Sequence, residues 1–227
     1  MRATYQGIND LPAEIPVFPL VSAILLPRAT MPLNIFEPRY LAMVDAALGG
    51  DRMIGMIQPA GEGGVTGSPE GGESLCRVGC AGRVTAFQEL DDGRLLIVLK
   101  GIARFVIRQE RSSGTPYRMF RVDYQPFAAD LAAATDEADV DREKLLDVLK
   151  RFLDGRQATA DWKQIGATGT EQLVNWLSVA SPFEPKEKQA LLEAPGLKQR
   201  AETLIALAEM ELASSGTTGG GGSGRVQ

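Results

Sequence analysis

The chain of 227 residues reads as an α+β protein, a small closed β structure followed by a C-terminal α-helical bundle. Two observations predict this. From Ile15 to about Phe127 short apolar runs alternate with turn residues, which is the pattern of short strands. Beyond an alanine-rich, acidic connection at 128–138 the apolar period switches to 3.6, which is that of helices. The Gly/Ser-rich stretch from Ser214 onward has the composition of a flexible tail. The division expected is a β-barrel over 1–128, a helical subdomain over 129–213 and a tail over 214–227.

In the first part, Val17 to Leu20 and Ala23 to Leu26 are apolar runs punctuated by proline, which suits edge or barrel-rim strands. Glu37 to Leu48 predicts a helix: Pro38 fits the first helical position, Tyr40, Leu41, Val44 and Leu48 recur at helical spacing, and Gly49-Gly50 ends the run. Met53 to Ile57 reads as the next strand. Residues 60–74 are glycine-rich, net negative and without apolar periodicity, so they read as a surface loop. They lack the Gly-Lys-Ser/Thr ending of a phosphate cradle. Leu75 to Glu89 and Arg94 to Lys100 form a hairpin around Asp91-Asp92-Gly93, because Asp-Gly accepts the positive φ of tight turns. Gly101 permits a bulge or corner before Ala103 to Arg108, and Tyr117 to Tyr124 alternates as a last strand.

In the second part, Asp139 to Leu153 places Leu145, Val148, Leu149 and Phe152 on one face, with acids in its first turn and Gly155 as its stop. Gln172 to Ala180 and Pro185 to Glu193 are further helices. Leu197 to Leu212 carries a stripe of Leu197, Ala201, Leu204, Ile205, Ala208 and Leu212, enough with the others for a second core.

Composition removes many functions. The net charge is −5 and histidine is absent, which takes away the commonest general base and metal ligand near neutral pH. Cys76 and Cys80 are two thiols, short of a structural zinc set, and on one strand they would stand roughly 13 Å apart at strand rise. They read as small packed residues in a reducing compartment. No cofactor, metal or catalytic residue is expected. Residues 1–128 hold thirteen basic and thirteen acidic groups, and 129–213 hold ten and sixteen, so no basic block points to nucleic acid. The first fifteen residues carry no leader-like apolar run, and Pro19 and Pro27 break the longest apolar stretches well short of a membrane span. A cytoplasmic protein without membrane attachment is expected.

Five segments in order carry a family resemblance. Ile15-Pro16-Val17-Phe18-Pro19-Leu20 leads to Pro32-Leu33-Asn34-Ile35-Phe36-Glu37-Pro38-Arg39-Tyr40-Leu41. Arg77 to Val84 is followed by Asp92-Gly93-Arg94 with Val98-Leu99-Lys100-Gly101-Ile102-Ala103-Arg104-Phe105. Phe120 to Tyr124 precedes Ser181-Pro182-Phe183 with Glu187-Lys188-Gln189-Ala190-Leu191-Leu192-Glu193. Together they resemble the Lon protease N-terminal domain family, and Asn34 to Leu41 resembles the form carried by its stand-alone bacterial members. The resemblance implies a PUA-like β-barrel followed by a helical bundle, and binding of protein substrates without the family's ATPase or peptidase machinery.

Gripping an unfolded chain requires exposed apolar and arginine groups. The candidate peptide-binding residues are therefore Pro32, Phe36, Glu37, Arg39 and Tyr40, with Leu25, Leu26 and Arg104 as neighbours. For each a structural reading competes: Phe36 as core, and Glu37 with Arg39 as a helix-capping or structural ion pair. An extended peptide adding to an exposed strand edge is a further mode. The leading function is a non-catalytic polypeptide-binding module, an adaptor or holdase whose partner is unfolded or extended polypeptide. The alternatives are a PUA-like RNA or nucleobase binder, disfavoured by charge, and an enzyme of unassigned type.

Overall fold

The computed structural model describes residues 5–60, 73–155 and 161–218. The expected loop at 60–74 falls outside these except for its ends, as does the tail beyond 218. The chain divides into two compact units, Met1–Ala133 with Glu184–Glu193, and Ala134–Phe183 with Ala194–Gln227.

The first unit contains β1 (Glu14–Pro19), β2 (Thr30–Ile35), α1 (Pro38–Gly49), β3 (Met53–Ile57), β4 (Val78–Glu89), β5 (Leu95–Arg111) and β6 (Met119–Asp123). β1 pairs parallel with β3, and the other pairings are antiparallel. β5 is long enough to take two neighbours on one edge. Its first half, Leu95 to Lys100, pairs with β2, its end from Val106 to Arg111 pairs with β6, and its other edge pairs with β4. Following β5, β4, β3, β1 and β6 back to β5 closes a ring, with β2 as a flap on the flared end of β5.

Closure is driven by one apolar cluster inside the ring, including Ile15, Val17, Met53, Ile57, Ala81, Ala103, Phe105, Phe120 and Val122. Phe105 fills the middle. A methyl group at Gly55 or Gly79 would stand 2.9 or 2.6 Å from its ring, closer than carbon atoms pack.

The pairing jumps from Ala81↔Ala103 to Gly82↔Gly101, which leaves Ile102 as an extra residue, and a second shift lies between Val84 and Ala86. The expected bulge at Gly101 is thus present. It reverses the faces of β5: Ala103 and Phe105 point into the barrel, whereas Leu95, Ile97 and Leu99 are buried on the opposite side. There they share a face with Met31 and Ile35 of β2; Tyr40, Met43 and Val44 of α1 are buried as well. The Tyr40 ring lies 4.3 Å from that of Phe18.

Ala23 to Leu26 is not a strand, contrary to the sequence pattern, and Thr30–Ile35 is one. The reason is local. Ser22 and Arg28 both adopt positive φ, so the segment between them is a crossing rather than a ladder. It is held to the bulge by hydrogen bonds from Arg28 N–H to the Gly101 carbonyl and from Gly101 N–H to the Ala29 carbonyl. The hairpin at Asp91-Asp92-Gly93 forms as expected, with Gly93 at φ +82.

The second unit contains α2 (Arg142–Gly155), α3 (Trp162–Ala167), α4 (Thr170–Ala180) and α6 (Leu197–Thr218). Leu145, Val148, Leu149, Phe152, Leu173, Leu177, Leu204 and Ile205 are buried in it. Arg142 joins α2 to the α3–α4 turn through the Thr170 hydroxyl and the Ile165 and Thr168 carbonyls. α3, capped by the Asp161 carboxylate on the Lys163 and Gln164 N–H groups, was not signalled by any apolar stripe. α6 runs to Thr218 rather than stopping at Leu212, so the expected tail begins as helix.

α5 (Pro185–Glu193), which its helical pattern groups with the bundle, belongs to the first unit. Polar ties hold it there: the Gln58 amide donates to the Pro185 carbonyl and to Gln189 at 3.0 Å, and Gln189 donates to the Val78 carbonyl.

Candidate functional site

The eight candidate residues separate into two groups. Leu25 and Leu26 are buried against the Gly101 bulge, and Tyr40 is buried under α1. Burial raises the Tyr40 phenol above its ordinary pKa, opposed by the Arg39 charge. Arg104 is 3% exposed. Its guanidinium makes a two-pronged ion pair with Asp130 at 2.8 Å and donates to the Leu192 carbonyl at 3.1 Å, and Phe127 stacks over it at 4.5 Å. These four side chains are part of the packed interior, so their proposed contact with a peptide is corrected: a ligand could reach them only by opening the fold.

Pro32, Phe36, Glu37 and Arg39 remain at the surface. Arg39 is not a free cation. Its guanidinium pairs with Glu37 at 2.8 Å and lies 4.5 Å over the Tyr40 ring, which is the structural ion pair weighed from the sequence. Phe36, by contrast, is 64% exposed although its neighbours on either side of β2 and α1 are core residues.

Strand register shows the face that β2 shares just before Phe36. Pairs directly opposite one another project from the same face of a sheet. Asn34, Leu96 and Gln88 form one such row, Pro32, Val98 and Ala86 the next, and Thr30, Lys100 and Arg83 the third. Phe36 follows β2 directly, two residues beyond the exposed Asn34. Leu96 is 41% exposed, Pro32 and Ala86 are exposed and Val98 is half-buried. The sheet therefore presents a face whose centre is apolar, and the exposed Phe36 follows directly at the end of β2. Leu96, Val98 and Ala86 were absent from the sequence list, because the bulges at Ile102 and Thr85 decide which alternate residues point outward.

A concavity elsewhere in the first unit, about 1140 Å³ in volume, is lined by residues that include Val21, Cys76, Val78, Val106, Pro185 and Gln189. Its charged lining is mixed, with Arg77, Arg108 and Lys186 against Glu73, Glu184 and Glu193. Among the described residues Val21 is its one large exposed apolar side chain. Burial pushes the Cys76 thiol above its ordinary pKa, which disfavours the nucleophilic thiolate. No cluster of His, Cys, Asp and Glu among the described residues could hold a metal ion.

A closed β unit carrying α5, with a separate helical unit, is the architecture against which known proteins compare. Residues 14–209 match the ATP-dependent protease La (LON) substrate-binding domain, and the chain belongs to that family. It is 26% identical to the Lon protease of Flavobacterium johnsoniae over 90% of its own length and 25% of that protein, and 24% identical to that of Anaeromyxobacter dehalogenans over 88% and 23%. The chain thus spans about a quarter of the length of the curated relatives it matches. Its fold is that of the Lon N-terminal domain protein from Xanthomonas campestris, with a TM-score of 0.59, 22% identity and coverage of 85% of this chain and 97% of that one. The N-terminal domain of the Mycobacterium avium complex Lon protease superposes with a TM-score of 0.62 at 18% identity, covering 86% and 98%.

Proposed function

We propose that the protein binds unfolded or extended polypeptide on the β2–β5–β4 face, without catalysing a reaction on it, and serves as an adaptor or holdase. The observation that carries this reading is the group of apolar residues Leu96, Pro32 and Val98 on one sheet face, followed directly at the end of β2 by the exposed Phe36. A monomeric domain gains nothing in stability by leaving a phenyl ring in water, and aromatic anchors contribute much of the affinity of polypeptide interfaces. Membership of a substrate-binding family supports the same reading.

The face is a better platform than the free edge of β2. Pro32 stands in the middle of that edge and has no N–H to offer an added strand. A cytoplasmic setting belongs to the proposal. It is supported by two free cysteines and by the absence, among the described residues, of a helix long and apolar enough to cross a membrane.

The test is binding of fluorescent unfolded peptides to the purified protein. Phe36→Ser and Leu96→Ser should each weaken binding by about five-fold or more, the loss expected of interface anchors. Both residues are exposed, so the same changes should move folding stability by only about 0.5 kcal/mol. Tyr40→Ala, a core change, should cost about 3 kcal/mol or more of stability. Absence of binding at hundreds of micromolar, or binding indifferent to both surface changes, would sink the proposal.

A further inference from the structure

The charges around the face are distributed unevenly. At the Phe36 end Arg39 is paired with Glu37 and Arg94 with Asp92, at 2.8 and 2.7 Å. At the other end Lys100 and Arg83 are directly opposite across β4 and β5. Like charges in that position destabilise a sheet. Among the described residues neither has a carboxylate partner: the Arg83 guanidinium donates to the Tyr5 hydroxyl and the Asp51 carbonyl, and Lys100 is exposed with no ion pair. Lys100 is also the single lysine in residues 1–128.

We infer that the face is polar along its length and selects extended polypeptide segments in which an apolar or aromatic stretch is followed at one end by an acidic side chain, the carboxylate being received by Lys100 beside Arg83. This inference rests on the proposed polypeptide binding and specifies its substrate class. Charge complementarity supplies the argument, since an uncompensated cation pair borders the apolar rows and the far end is already neutralised. Geometry sets the spacing. Lys100 lies two residues from Val98 and four from Leu96 along β5, roughly 7 and 13 Å at strand rise. The acid therefore belongs two to four residues from the apolar anchors.

The experiment uses the full chain and acetylated, amidated peptides that share a Phe- and Leu-containing extended segment and carry Glu, Gln or Lys at either flank. The preference expected is Glu over Gln over Lys at one flank, with steps of about two- to five-fold, the range of an exposed ion pair. It should fade in 0.5 M salt as screening shortens the reach of charge, to roughly 4 Å. Lys100→Gln should abolish the preference and Lys100→Glu should invert it, in proteins whose urea midpoints match that of the parent. Peptide binding without flank preference, or a preference that Lys100→Glu leaves intact, would overturn this inference while leaving polypeptide binding in place. So would a Lys100→Glu effect on self-association in place of peptide affinity. No binding of any peptide would overturn both.

Discussion

Arg104 shows how a residue with the chemistry of a binding anchor comes to serve the interior. Its backbone sits in β5 next to the bulge, and its side chain is enclosed by Asp130, Phe127 and the Leu192 carbonyl. Removing one member of such a pair leaves a buried charge uncompensated. Arg104→Met or Asp130→Ala alone should cost about 3–5 kcal/mol, whereas replacing both by apolar residues should cost less than the sum. Urea unfolding of the two single variants and the double variant measures this. Tyr124 carries a pH signature of the same interior. Burial raises its phenol well above the ordinary value of 10.0, and its hydroxyl donates to the Pro12 carbonyl at 3.2 Å. The folded state therefore keeps a proton that the unfolded chain releases near pH 10. Its stabilising contribution is complete below that pH and is lost as pH rises toward the folded value. Tyr124→Phe should remove part of the alkaline loss of stability seen in a urea series from pH 8 to 12. Neither role is legible in the sequence, because an arginine and a tyrosine in alternating strands announce only that they are amphipathic.

The decisive feature among the elements is the bulge in β5. Sequence alternation from Leu95 through Phe105 puts every odd residue on one face, and a regular strand would bury them all in one core. Ile102 breaks the parity. The first half of β5 then buries Leu95, Ile97 and Leu99 on the face shared with β2, the second half serves the barrel, and Leu96, Val98 and Lys100 are turned outward together. Gly101 makes the crossing of the preceding segment possible, since a Cβ there would lie 2.0 Å from the Leu26 carbonyl oxygen. Gly101→Ala should therefore destabilise by about 3 kcal/mol, at the upper end of overpacking costs, and should lower peptide affinity by shifting the outward row. Thermal unfolding with peptide titration of the same sample reads both. The glycine itself is visible as a place for irregularity. Which residue becomes the extra one depends on what packs over it, and the apolar pattern of that segment, Ala23 to Leu26, is that of a strand rather than of a crossing.

At the scale of the molecule, the barrel unit takes a helix from about fifty residues downstream of its own end at Ala133. The acceptors that α5 gives to Gln58 and Arg104, and its donation to Val78, satisfy polar groups on the barrel that would otherwise lose their partners. A fragment ending at Ala133 should consequently unfold at lower urea than the corresponding unit of the whole chain, by about 1–3 kcal/mol, the cost of buried groups left unpaired. Adding a Pro185–Glu193 peptide in trans should restore part of the loss. What the sequence by itself determined was local and periodic: the α+β class, α1, the hairpin with its Asp-Gly turn, the helical stripes, the family and the presence of an exposed-looking motif from Pro32 to Arg39. Turn chemistry and apolar spacing act over a few residues, so they survive without knowledge of the fold. Only the tertiary structure decided that Phe36 faces water while Leu25, Leu26, Tyr40 and Arg104 do not, that α5 caps the barrel, and that Leu96, Val98 and Lys100 complete the face. Those outcomes depend on register, on one extra residue in one strand, and on which distant segment covers each surface, none of which is encoded within a short window of chain.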